Sequence, residues 1–67
     1  MIEIVLNGAP HQVPPGLTLD QLIATLSLEN QALALAVNRS VVPRKVWPDR
    51  VLETRDQVEI VRAIGGG

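Results

Sequence analysis

The chain has 67 residues, of which 46% are hydrophobic and 19% charged, and its formal net charge is -1. This length predicts one small domain with a modest core, and the composition is typical of globular rather than disordered proteins. Cysteine is absent and His11 is the only histidine, which excludes a disulfide framework and leaves a zinc site short of ligands.

The charges are distributed unevenly, because residues 1–38 contain no lysine or arginine and all six basic residues follow. A pI of about 5.6 and a single aromatic residue, Trp47, are unlike the basic excess of a nucleic-acid-binding protein. The longest apolar run, residues 32–37, is too short to cross a bilayer. We therefore expect a cytoplasmic protein, with no basic leader before Ile2, that binds neither nucleic acid nor membrane.

The N-terminal segment predicts a β-hairpin. Alternate residues of the stretch 2–6 are apolar, which is the pattern of a strand with one buried face. Asn7 and Gly8 then predict a tight turn, because both tolerate the positive φ that such a turn requires. The segment "APHQV" is expected to return as an antiparallel strand, with Val13 in the core.

The segment "LTLDQLIATL", residues 17–26, carries the clearest helix signature. Thr18 and Gln21 have the spacing of a capping box, and Leu17 and Leu22 have that of a hydrophobic staple. One apolar stripe, which needs a sheet to cover it, consists of Leu19, Leu22, Ile23 and Leu26.

The second half predicts further strands. The run "ALALAV", residues 32–37, is expected to form a central strand, and "NRS" a turn. Val41 and Val42 are expected to add a brief strand, whereas prolines keep the stretch around Trp47 irregular. The alternating segment "QVEIVRAI", residues 57–64, completes an α+β fold with one helix on a mainly antiparallel sheet.

No catalytic or metal site is predicted. Ser27, Ser40 and His11 could in principle act in nucleophilic chemistry, but no motif sets them at a recognisable spacing. His11 is interpreted as a solvated strand residue, and Trp47 as a lid on the edge of the core. The terminal glycines do not form a phosphate loop, because no Lys-Ser/Thr follows them.

The sequence ends in "AIGGG", and two interpretations of Gly65, Gly66 and Gly67 stay open on this pattern alone. Glycine loses the most backbone freedom on ordering, so a terminal run of it does not stabilise a fold. The run is either a dispensable tail or cloning scar, or a segment whose terminal carboxylate is the working group.

A specific resemblance favours the second interpretation. The blocks "ALAVN" and "VVPR", Trp47, Asp56 followed by "QVEIV", and the final two glycines are similar to the ThiS family of bacterial sulfur carriers. The resemblance implies a ubiquitin-like β-grasp fold, with a mixed sheet of four to five strands and one main helix on one face. Residues 1–64 would form this domain and residues 65–67 a flexible tail.

The resemblance also implies the chemistry. An E1-like adenylyltransferase would use ATP to adenylate the carboxylate of Gly67, and a sulfur donor system would convert it to a thiocarboxylate. Thiazole synthase would then receive the sulfur in thiamine biosynthesis. On this interpretation the chain is no enzyme, binds no cofactor and is a monomer when free. Gly65, Gly66 and Gly67 would enter the active sites of the partners.

Two further expectations concern the body of the domain. Val5 and Val61 lie out of phase with the core positions of their strands, so we expect them on a partner interface on the sheet face away from the helix. Arg55 stands where the family usually has glycine before the aspartate of the last turn. If that position needs a positive φ, arginine costs on the order of 1 kcal/mol there.

Two alternatives to a thiamine sulfur carrier remain. The first is a related carrier, such as the small subunit of molybdopterin synthase. The second is a ubiquitin-like binding module whose tail is dispensable. Adding one residue after Gly67 separates a carrier from a module, because the addition converts the reactive carboxylate to an ordinary peptide bond.

Overall fold

The computed structural model describes residues 1–62, which form a five-stranded mixed sheet with one helix packed on it. The elements in chain order are β1 (Ile2–Leu6), β2 (Ala9–Val13), α1 (Leu19–Thr25), β3 (Leu33–Val37), β4 (Ser40–Val41), a 3-10 helix (Arg44–Asp49) and β5 (Gln57–Arg62). The strand order is β2-β1-β5-β3-β4, and only the β1–β5 pair is parallel. The expected β-grasp architecture is confirmed.

Local sequence signals account for the hairpin turn between β1 and β2 and for the start of α1. Asn7 and Gly8 have φ values of 49° and 84°, as the predicted hairpin requires. The capping box is also present: the Gln21 amide donates to Thr18 Oγ1 at 3.2 Å, and the Thr18 amide donates to Gln21 Oε1 at 3.0 Å. These two bonds satisfy backbone donors that the first helical turn leaves free, and so fix where α1 begins.

The core lies between α1 and the inner face of the sheet. It is almost wholly aliphatic, as the composition predicts, and Val13 belongs to it. Leu26 is only half-buried, because it caps the end of α1 rather than continuing the helix. The buried hydrophobic residues are Ile4, Val13, Leu19, Leu22, Ile23, Leu35, Val37, Trp47, Leu52 and Val58.

The segment around Trp47 was expected to be irregular, and this expectation is wrong. It forms the 3-10 helix, whose Trp47 ring is buried and donates from Nε1 to the Val42 carbonyl at 2.8 Å. The Arg44 guanidinium lies 4.8 Å from the ring centroid and donates to the Gln31 carbonyl at 3.0 Å. Pro48 removes one backbone donor from this short helix, but the ring anchors the segment to the core.

The brief fourth strand is displaced by one residue from its expected position. It consists of Ser40–Val41 instead of Val41 and Val42, because Asn38 and Arg39 form a two-residue turn that pairs Val37 with Ser40. Both turn residues have positive φ, at 52° and 70°.

Asp56 is the one buried charged residue among residues 1–62. Its carboxylate accepts hydrogen bonds from Asn38 Nδ2 at 3.1 Å, Arg50 Nη2 at 3.2 Å and the Glu53 amide at 2.8 Å. Asn38 also accepts from the Gln57 amide through Oδ1 at 2.9 Å. The carboxylate therefore holds the β3–β4 turn, the loop after the 3-10 helix and the start of β5 together.

Arg55 occupies a strained backbone position. Its φ is 72°, which confirms that the turn needs the left-handed conformation that glycine adopts most readily. The Arg55 amide donates to the Glu3 carbonyl at 2.8 Å, and this bond ties the turn to β1. The conformation is thus imposed by the pairing of β5 with β1.

We predict that Arg55→Gly raises the free energy of unfolding by roughly 1 kcal/mol, because it removes the Cβ penalty at positive φ. In a domain of this size the melting temperature should rise by about 4 to 8 °C per kcal/mol. Thermal unfolding followed by circular dichroism measures the change. Arg55→Ala is the matched control and should give no such gain, because it keeps the Cβ. A lower melting temperature for Arg55→Gly would contradict the claim that the Arg55 backbone is strained.

We predict that Asp56→Ala lowers the free energy of unfolding by roughly 2 to 3 kcal/mol, because three donors lose a charged acceptor. The Asp49 side chain is exposed and makes no hydrogen bond within residues 1–62, so Asp49→Ala is the control and should change the free energy of unfolding by less than about 0.5 kcal/mol. Urea denaturation measures both. Equal effects for the two variants would show that the Asp56 contacts do not hold the turns together.

Candidate functional site

The predicted functional atoms, the carboxylate of Gly67 and the backbone of Gly65 and Gly66, lie outside the described residues. So do positions 63 and 64, which the sequence assigned to the last strand. The structure does describe the strand that precedes them. β5 pairs with β1 on one side and with β3 on the other, and Arg62 pairs with Leu33 at its last described position.

An additional hydrogen bond holds β5 near its end. Asn7 Oδ1 accepts from the Ile60 amide at 2.8 Å, and the Asn7 amide donates to the Val58 carbonyl at 2.9 Å. Asn7 was predicted only as a turn residue, and its contacts with β5 were missed because they join positions more than 50 residues apart in the sequence. The segment leading to the glycines therefore starts from the firmly paired centre of the sheet.

The outer face of the sheet, away from α1, carries both residues predicted for a partner interface. Val61 is 61% exposed and pairs with Ala34, whereas Val5 is half-buried and pairs with Gln57 and Pro10. The two valines share this face, but Val5 lies on β1 beside the start of β5, whereas Val61 lies near the end of β5. The structure therefore does not bring them into one patch.

Val61 instead belongs to a small apolar surface that the sequence did not indicate. Ala34 and Ala36 of β3, Val41 of β4 and Val61 of β5 form this surface, which we name the outer-face patch. Val41 is 77% exposed, although it is a large hydrophobic residue. The patch lines a shallow concavity of about 210 Å³, and Glu59 is the one charged residue that lines it among residues 1–62.

A second concavity, of about 370 Å³, lies on the other face, between the end of α1 and the sheet. Leucines of β1, β3 and the α1–β3 connection line it, together with Ile60 and Arg62. Among residues 1–62, no carboxylate, histidine or hydroxyl group lines it. These residues offer an apolar surface with the Asn7 amide and the Arg62 guanidinium, and not a set of catalytic groups.

The described residues offer little for catalysis by the chain itself. His11 is half-buried on β2, where it pairs with Ile4. Among residues 1–62, no group of three or more His, Cys, Asp or Glu side chains is arranged to hold a metal ion. In the same part of the chain, no helix has the length and apolarity needed to cross a membrane.

Comparison with known proteins gives a consistent result. The ThiS family model matches residues 4–67. The sulfur carrier protein ThiS of Escherichia coli is 30% identical over 66 residues, which cover 98% of this chain and 100% of that protein. A thiazole synthase of Magnetococcus marinus is 39% identical over 98% of this chain, but the chain spans only 20% of that protein's length.

The fold agrees with these sequence matches. The crystal structure of the thiamine biosynthesis protein ThiS from Geobacter metallireducens superimposes with a TM-score of 0.85, covering 98% of this chain and 100% of that one at 23% identity. The family match includes the three glycines as well as most of the domain. The chain belongs to the ThiS family.

Proposed function

We propose that this chain is a sulfur carrier of thiamine biosynthesis and that Gly67 carries the sulfur as a thiocarboxylate. The observation that carries this proposal is the family match, which extends from the first strand through Gly67. The E. coli sulfur carrier, which the chain matches over its whole length, supports it further. The chain is then a protein co-substrate rather than an enzyme, and it acts in the cytoplasm.

The chemistry begins with activation, because a carboxylate at neutral pH is a poor electrophile. An E1-like adenylyltransferase joins the Gly67 carboxylate to the α-phosphate of ATP, releasing pyrophosphate and forming an acyl adenylate. The ATP is bound by the partner, so the carrier needs no cofactor of its own. Gly65, Gly66 and Gly67 have no Cβ, which lets their backbone enter a narrow active site.

Sulfur then replaces the nucleotide. The terminal sulfur of a donor persulfide attacks the acyl carbon, the bond to AMP breaks, and an acyl disulfide forms. A thiol of the donor system reduces the sulfur–sulfur bond, so the thiocarboxylate is released and the thiols are oxidised to a disulfide. The chain has no cysteine that could attack the acyl adenylate internally.

Thiazole synthase is the proposed acceptor of the sulfur. The Magnetococcus marinus relative bears that name, and this chain matches about a fifth of its length. One polypeptide of that name therefore contains a segment similar to this carrier, which supports a functional association between the two. The folded body supplies the surface that the partners recognise, and we place that surface on the outer face, with Val61 and Val5 as contact positions.

We predict that the host cell needs a free Gly67 carboxylate for growth without thiamine. Replacing the chromosomal copy with a variant lacking Gly67, or with one extended by alanine after Gly67, should abolish growth unless the thiazole precursor is supplied. Both changes remove or block the group that is adenylated. Growth curves and an immunoblot for protein level are the measurements.

Asp49→Lys is the matched control, because Asp49 is exposed at the end of the 3-10 helix, next to Arg50, which pairs with Asp56 before the start of β5 and not at its end. This variant should grow like the wild type. Normal growth of both tail variants without the precursor would contradict the carrier function and favour a binding module with a dispensable tail. A requirement for a molybdenum cofactor instead of thiazole would indicate the related carrier.

A further inference from the structure

The outer-face patch contains one feature that an apolar docking surface would not be expected to have. Glu59 lies on β5 directly opposite Ala36, and Val61 lies two residues further along the same face, opposite Ala34. Glu59 is exposed, and it lines the concavity of about 210 Å³ together with the apolar residues. A carboxylate is thus set among alanine and valine side chains.

Within residues 1–62 the Glu59 side chain makes no hydrogen bond and no ion pair. The one salt bridge in this part of the chain joins Arg50 to Asp56. The other acidic residue of β1 and β5, Glu3, accepts from Gln12 at 3.3 Å. In the free domain the Glu59 carboxylate is therefore satisfied by water, which costs nothing as long as the patch is exposed.

Covering the patch changes this situation. A partner that buries Ala36 and Val61 removes water from Glu59, and an unpaired buried carboxylate is strongly unfavourable. A partner that supplies a cation at this point recovers the lost hydration through a charge-assisted hydrogen bond. The same glutamate therefore favours one class of partner and rejects another.

We propose that Glu59 is a specificity determinant of the outer-face patch, and that the protein acting on the tail meets it with an arginine or lysine set in an apolar surface. Arginine fits best, because its planar guanidinium can pair with both carboxylate oxygens. Ala34 and Ala36 have short side chains, which leave room beside Glu59 for such a residue. This inference rests on the proposed carrier function and names the partner surface that the function needs.

The position of the patch supports the choice of a protein that acts on the tail as its occupant. The chain from Val61 to Gly67 contains six residue steps and extends at most about 22 Å. Any protein seated on the patch therefore has the Gly67 carboxylate within that distance of the contact. A site for the tail and a site for the patch can accordingly lie on one protein surface.

The test is binding of the full chain to the adenylyltransferase and to the thiazole synthase encoded in the same genome, measured by isothermal titration calorimetry. Glu59→Lys should weaken binding to at least one of them by about tenfold or more, because it opposes two like charges. Glu59→Gln should have a smaller effect. Added salt should weaken binding of the wild type, and it should weaken binding of both Glu59 variants less.

Asp49→Lys is the control, since it changes the net charge equally but lies at the end of the 3-10 helix, beside the start of α1 and away from the outer-face patch. It should bind within about twofold of the wild type. Reversing the facing cation on the partner to glutamate should restore binding of Glu59→Lys. Circular dichroism shows whether each variant is folded, and the exposed Glu59 should tolerate both changes.

Three results would overturn the inference. They are wild-type affinity of Glu59→Lys for both proteins, an equal loss in Asp49→Lys, and sedimentation showing that the patch is covered by a second copy of this chain. Thiocarboxylate formation on the wild type separates this inference from the proposed function. If the wild type forms it and Glu59→Lys binds both proteins with wild-type affinity, only the role of Glu59 fails. If the wild type forms none, the carrier function itself fails.

Discussion

The buried carboxylate of Asp56 is the interaction on which the arrangement of this domain depends. It stands immediately before β5, the strand at the centre of the sheet, and it accepts hydrogen bonds from three residues in two segments, the β3–β4 turn and the loop after the 3-10 helix. Because β5 pairs with both β1 and β3, an error in its register would move the core residue Val58 and the surface residue Val61 together. The same register sets the position of Arg62, the last described residue before the glycines.

The two faces of this sheet have different roles. The inner face, with α1 and the buried ring of Trp47, stabilises a small domain that has neither cysteine nor a described metal cluster. The outer face contributes little to the core and exposes Val41 and Val61 instead. Such a division suits a carrier, because the surface offered to partners can change without rebuilding the core.

Local patterns predicted much of this fold, and long-range pairing explains what they missed. The capping box at Thr18 and the turn at Asn7 depend on a few neighbouring residues, so both were predictable. The cost at Arg55 was predicted from the family resemblance. The grouping of Val61 with Val41 rather than with Val5 follows from the strand order, which a single sequence does not contain. The role proposed for Glu59 likewise depends on its apolar neighbours on β3, which the strand pairing places beside it.

The central claim is that Gly67 carries sulfur, and intact mass spectrometry tests it most directly. The natural chain would be incubated with its adenylyltransferase, ATP and a sulfide source, and compared with a chain lacking Gly67. We predict a gain of about 16 Da, the mass difference between sulfur and oxygen, on the natural chain alone. No gain with an active adenylyltransferase, or an equal gain without Gly67, would contradict the carrier account.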